Sequence, residues 1–178
     1  MPRGEYNRRR VRPVSASLSI DAPRERIFDL LIDLSIRPEF SDQLFTDFRL
    51  GRLKPVGIGA SARYHLAKVG WMDTVIDQAE RPYLVREHGM GGRTNRIPAF
   101  TVWELAEGPS PDGSEVTVTF WTEPSNPFDR ARDLTLSSRR LRREFRRMLA
   151  RLRELAESQR PIEHVRLAGA DRLPAFNR

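Results

Sequence analysis

The sequence predicts an α+β domain in which a curved antiparallel sheet of seven strands grips one long C-terminal helix. Three observations predict it. Six segments between residues 14 and 121 alternate apolar and polar side chains with the period of two that marks a half-buried strand, and a seventh, near 83–90, lies between turn signals. One segment near the C-terminus, roughly 129–158, carries a single apolar stripe at helical spacing. Glycine- and proline-containing turns separate successive strands by short links, the connections that antiparallel neighbours use.

Each element has its own signal. Val14, Ala16, Leu18 and Ile20 alternate with Ser15, Ser17 and Ser19, which gives a first strand. Asp21 is placed to stop it and to cap a short helix over 23–34, with Pro23 and Glu25 in the first turn, Ile27, Phe28, Leu31 and Leu34 on the buried face, and Pro38 as its end. Leu44, Thr46, Phe48 and Leu50 form the second strand. Ala60, Ala62, Tyr64 and Leu66 form the third, and Met72, Thr74 and Ile76 the inner face of the fourth. A fifth strand spans 83–90 after the Arg81-Pro82 turn, and Gly89, Gly91 and Gly92 punctuate the bend beyond it. Ala99, Thr101, Trp103 and Leu105, then Val116, Val118 and Phe120, supply the sixth and seventh strands across a Gly108–Gly113 hairpin loop. The long helix follows a Pro124–Phe128 break. Leu134, Leu141, Phe145, Met148, Leu152 and Leu155 line one side, and at 1.5 Å per residue it reaches about 45 Å.

Composition bounds the rest. The chain has 178 residues, of which 39% are hydrophobic and 31% charged, a globular balance that suits one domain over 13–158. Residues 1–12 read as a flexible basic arm. Residues 159–178 read as a tail whose apolar Ile162, Val165 and Leu167 either pack on the domain, as an extended segment at a sheet edge, or hang free. No run approaches the ~18 apolar residues of a membrane helix, and no apolar run follows the N-terminal arginines, so a cytoplasmic location is the expectation. The absence of cysteine excludes disulfides, thiolate metal sites and a Cys nucleophile. The net charge is +7, concentrated in two clusters: Arg3, Arg8, Arg9, Arg10 and Arg12 in the arm, and the Arg139–Arg153 run on the last helix. A solvated outer face explains the second cluster. The competing explanation is transient docking on an anionic membrane or acidic protein, with nucleic acid disfavoured because the aromatics are assigned to the sheet interior.

The order strand, short helix, six strands, long helix, with several local signatures, resembles the START/polyketide-cyclase (SRPBCC) superfamily and its helix-grip fold. The signatures are Ser19-Ile20-Asp21-Ala22-Pro23 opening the first helix, Gly57-Ile58-Gly59-Ala60 before the third strand, Trp103-Glu104-Leu105, and the Gly113–Val118 hairpin return. The resemblance covers residues 13–158. It implies a cavity between sheet and helix for a hydrophobic small molecule such as a lipid, quinone or aromatic polyketide. Some relatives are binding or transport proteins and others are polyketide aromatase/cyclases, so the resemblance leaves catalysis open.

The residues themselves point to binding more than to chemistry. No metal-ligand or nucleophile motif is present, the three histidines fall on separate elements, and Gly89-Met90-Gly91-Gly92 lacks the spacing of a phosphate loop. No metal or cofactor is expected. Asp73 and Asp77 share a face, but the face opposite Met72 and Ile76, so they belong to solvent. Tyr64, Trp103 and Phe120 are candidate cavity walls, because their alternation partners are polar. Arg86 and His88 are candidates for a polar end that holds an anionic or carbonyl oxygen, provided Leu84 and Met90 face inward. If Tyr83 and Val85 face inward instead, both meet solvent, and the pattern alone leaves the two registers open.

Overall fold

The computed structural model describes residues 13–51, 54–66, 70–92, 96–124, 138–158 and 161–165. The elements are β1 (Val14–Ile20), α1 (Arg24–Ile32), a 3-10 turn (Leu34–Ile36), α2 (Arg37–Ser41), β2 (Phe45–Leu50), β3 (Ser61–Leu66), β4 (Gly70–Glu80), β5 (Leu84–Gly91), β6 (Ile97–Glu107), β7 (Ser114–Thr122) and α3 (Ser138–Glu157). The seven strands make one sheet in the order β1-β7-β6-β5-β4-β3-β2, with every neighbouring pair antiparallel. The α1–α2 segment crosses from one sheet edge to the other.

Alternation decides which face of each strand is buried, and the sequence pattern holds for five of the seven. Val14, Ala16 and Ile20 of β1, Ala62, Tyr64 and Leu66 of β3, Met72, Thr74 and Ile76 of β4, Ala99, Trp103 and Leu105 of β6, and Val116, Val118 and Phe120 of β7 are all buried. On β2 the alternation breaks. A register shift between Thr46 and Arg49, with Asp47 at φ 52°, leaves Leu44 and Phe45 both buried and only Phe48 and Leu50 half-buried beyond them. On β5 the inward residues are Val85, Glu87, Gly89 and Gly91.

The first helix ends earlier than its apolar spacing suggests. Asp33 is extended and its carboxylate accepts from the Ser35 N–H at 2.8 Å, which starts the 3-10 turn; Pro38 then sits in the first turn of α2 and opens a helix instead of ending one. Asp21 is not the cap of α1. Pro23 occupies that position with no side-chain cap, and Asp21 accepts from Ser110 Oγ at 2.9 Å.

On α3 the buried face is Phe145, Met148, Leu149, Leu152, Leu155 and Ala156, with Leu141 half-buried. Phe145 meets Phe120 edge-on at 6.3 Å, and at the other end Glu157 accepts from the Asp21 backbone N–H at 2.9 Å. The helix therefore runs alongside β1 in the same direction and packs on β1 and α2. The part of the expected helix before residue 138, with Leu134, lies outside the described residues, as do the arm and Leu167. Of the tail, Ile162 packs against the core, and the Val165 N–H bonds the Ser35 carbonyl at 2.8 Å, so residues 161–165 lean on the 3-10 turn and not on a sheet edge.

Where β5 pairs with β4 at Gly89 and Thr74, the two strands approach closely. A Cβ on Gly89 would run into the Asp73 carbonyl oxygen and lie 3.0 Å from the Thr74 Cα, so the backbones approach more closely there than any side chain allows. Gly89→Ala therefore loses about 1–3 kcal/mol of stability, the ordinary cost of overpacking against backbone. Urea denaturation measures it, and an unchanged midpoint would mean that the strands are not in this contact.

Candidate functional site

Among the described residues the mostly apolar concave face holds buried charge at one place. Glu87 projects inward from the middle of β5 and meets Arg37, which α2 holds over the sheet. The two are 2.8 Å apart and their side chains are 3% and 2% exposed. Desolvating two charges costs several kcal/mol each, so such a pair persists only when its hydrogen bonds are met from all sides. For Glu87 they are. One carboxylate oxygen accepts from Arg37 and from the Trp103 indole N–H at 2.9 Å, and the other accepts from the Thr74 hydroxyl at 3.3 Å. The Arg37 guanidinium also donates to the Leu31 carbonyl at 3.0 Å and lies over the Trp103 and Phe40 rings at 5.1 and 5.5 Å, where the ring faces favour a cation. One donor is left over: Arg37 Nε–H is buried and has no acceptor among the described residues.

Tyr64 stands beside this pair. Its ring stacks on Phe45 at 4.2 Å and on Phe48 at 6.0 Å. Burial pushes the phenol pKa well above its ordinary value of 10.0; the Glu87 carboxylate adds to the rise and the Arg37 guanidinium opposes it.

Of the residues singled out in the sequence, Tyr64, Trp103 and Phe120 face the interior. Arg86 and His88 do not. Glu87 takes the inward place between them, and the two-residue period turns both neighbours to the convex face. There Arg86 donates twice to Asp77, at 3.0 Å each, and His88 lies against Phe100 at 5.5 Å. The convex face carries Asp73 as well, ion-paired to Arg63 at 3.6 Å. The polar end of the interior is thus Arg37 and Glu87, which the sequence pattern did not reveal. A signal was available in Gly89 and Gly91, since side-chain-free positions two and four residues after Glu87 mark the crowded side of the strand. Its partner lies 50 residues upstream, where no local period reaches.

Among the described residues no group of three His, Asp or Glu side chains is placed to hold a metal ion, and no helix is long and apolar enough to cross a membrane.

No family model and no curated protein matches the chain. Solved structures do. Truncated norcoclaurine synthase from Thalictrum flavum superposes with a TM-score of 0.64 at 9% identity, covering 88% of this chain and 100% of that one. The solution structure of KanY gives 0.63 at 16% identity over 83% and 98%. DynU16, a protein in the dynemicin biosynthetic locus, gives 0.55 at 19% identity, over 85% of this chain and 49% of that one. At these identities the likeness is one of fold, and the fold is the helix-grip fold.

Two outcomes follow from this geometry. Arg37→Met and Glu87→Leu each cost about 3–5 kcal/mol, because each leaves a buried charge alone, while the double variant recovers a large part of the summed loss. Strict additivity in a denaturation cycle would show that the charges do not interact. The second concerns Tyr64. Its folded pKa lies above the unfolded one, so its contribution to stability is complete below about pH 10 and is lost as the pH rises beyond that, by at most ~1.4 kcal/mol per pH unit. Tyr64→Phe removes this slope; equal slopes for the two proteins between about pH 10 and 11 would contradict a buried phenol.

Proposed function

We propose that the chain binds a hydrophobic small molecule (a lipid, a quinone or an aromatic polyketide) between the concave face and α3. Tyr64, Trp103 and Phe120 serve as walls, and a ligand oxygen accepts from Arg37 Nε–H. The observation that supports it is that unmatched donor. In a mostly apolar interior, a buried N–H without an acceptor carries a cost of roughly 1–3 kcal/mol, which a carbonyl, carboxylate or phenolic oxygen on the ligand removes. Binding sites of this kind are mostly apolar, with a few polar groups that orient the guest.

The competing reading is a polyketide aromatase/cyclase, and the protic groups beside one another in the interior, Tyr64, Arg37 and Glu87, favour it. The charge network weighs against it. Both Glu87 oxygens are engaged by Arg37, Trp103 and Thr74, and burial holds Tyr64 in its protonated form, so neither group is poised to take a proton. Binding is the reading the geometry supports better.

Trp103 is the reporter. In a Trp71→Phe/Trp121→Phe background it is the one remaining tryptophan of three, and titration with oleate, decylubiquinone or anilinonaphthalene sulfonate changes its emission saturably, with a 1:1 adduct in native mass spectrometry. No change and no adduct with any of the three would overturn the proposal. Arg37→Lys keeps a cation beside Glu87 but removes the Nε–H fork, and lowers affinity for an oxygen-bearing ligand roughly tenfold. Arg86→Ala and His88→Ala leave it within about twofold, as outward residues should.

A further inference from the structure

Charge is unevenly spread along α3. Arg139, Arg140, Arg142, Arg143, Arg146 and Arg147 are all exposed, and Glu144, half-buried and bonded to Arg147 at 3.0 Å, is the one acidic residue between positions 138 and 151. At helical spacing of about 100° per residue these six arginines cover roughly 160° of the surface, on the side opposite Phe145, Met148 and Leu149, over a length of about 12 Å. Arg139, Arg140, Arg143, Glu144 and Arg147 line a shallow hollow of about 540 Å³. Further along the character changes: Arg151 is ion-paired to Asp42, and Glu154 and Glu157 follow. The basic half lies at the end of the sheet where β1 begins and β7 finishes, as the Phe145–Phe120 contact fixes.

We propose that this face docks the protein on an anionic phospholipid bilayer. The choice of partner follows from what accompanies the charge. A stable protein interface needs a desolvated centre with apolar or aromatic anchors, and residues 139–147 expose none: Phe145 is buried and Leu141 half-buried. Single-stranded nucleic acid needs stacking platforms beside the cations, and this stretch offers no exposed ring. A headgroup layer needs neither. It is an extended sheet of negative charge to which each arginine contributes without leaving water, and a broad patch of one sign is its complement. The contact is peripheral, since among the described residues no fully exposed apolar side chain on this face is available to insert into the acyl region. It stands independently of what the interior binds.

The test is sedimentation of the full-length protein with vesicles of 30% phosphatidylglycerol in phosphatidylcholine, at low salt. The expected results are binding to these and not to pure phosphatidylcholine vesicles, loss of binding at ~0.5 M salt, and at least a ~30-fold weaker partition for Arg139→Gln/Arg142→Gln/Arg143→Gln/Arg146→Gln. Circular dichroism and thermal midpoint of that variant stay as in the parent, because all four side chains are exposed. No binding to anionic vesicles, binding that survives the substitutions or the salt, or tighter retention by duplex RNA than by vesicles at equal phosphate would each overturn the proposal.

Discussion

Two opposite charges, Arg37 and Glu87, are the buried charged side chains among the described residues, set in a mostly apolar interior. A lone buried carboxylate would be protonated or expelled, so the surroundings must be built for it. Trp103, Thr74 and the Arg37 guanidinium meet the Glu87 oxygens, and the Leu31 carbonyl with the Trp103 and Phe40 faces meets the guanidinium. This couples elements far apart in the chain, since Arg37 comes from α2, which enters between the first two strands, and Glu87 from the middle of β5. It also fixes the register of β5, because with a period of two the inward Glu87 leaves no other arrangement for Arg86 and His88.

That coupling explains where the sequence could be read and where it could not. Strands with one clearly apolar face, such as Ala62-Tyr64-Leu66 or Val116-Val118-Phe120, show their orientation by alternation alone. On β5 each face mixes apolar and charged residues, and the deciding fact is a partner 50 residues away. The boundary of the first helix departs from its sequence signal for a related reason. Pro38 blocks helical angles at the preceding residue in general, yet here it occupies the first turn of α2, and the break falls at Asp33, whose carboxylate caps the next turn. The inward facing of Tyr64, Trp103 and Phe120 is legible from alternation; the inward place of Glu87 and its pairing with Arg37 are not.

The surface obeys a different logic. Exposed pairs such as Arg86–Asp77 and Arg63–Asp73 are worth little in stability, being screened and solvated. Between residues 139 and 147 the sequence sets six arginines against one acidic residue, Glu144. The buried charges Arg37 and Glu87 are paired with each other, whereas charge on the first half of α3 is mostly of one sign.

In the buried pair, Arg37 Nε–H has no acceptor among the described residues, and the account of the interior turns on it. Nitrogen-15 NMR can follow that group directly in the intact protein while decylubiquinone is added to saturation. The account predicts that the Arg37 Nε–H proton moves downfield and exchanges more slowly with solvent when the quinone is bound, as a new hydrogen bond requires. A bound quinone that leaves this resonance in place, and shifts Arg86 or His88 instead, would contradict it.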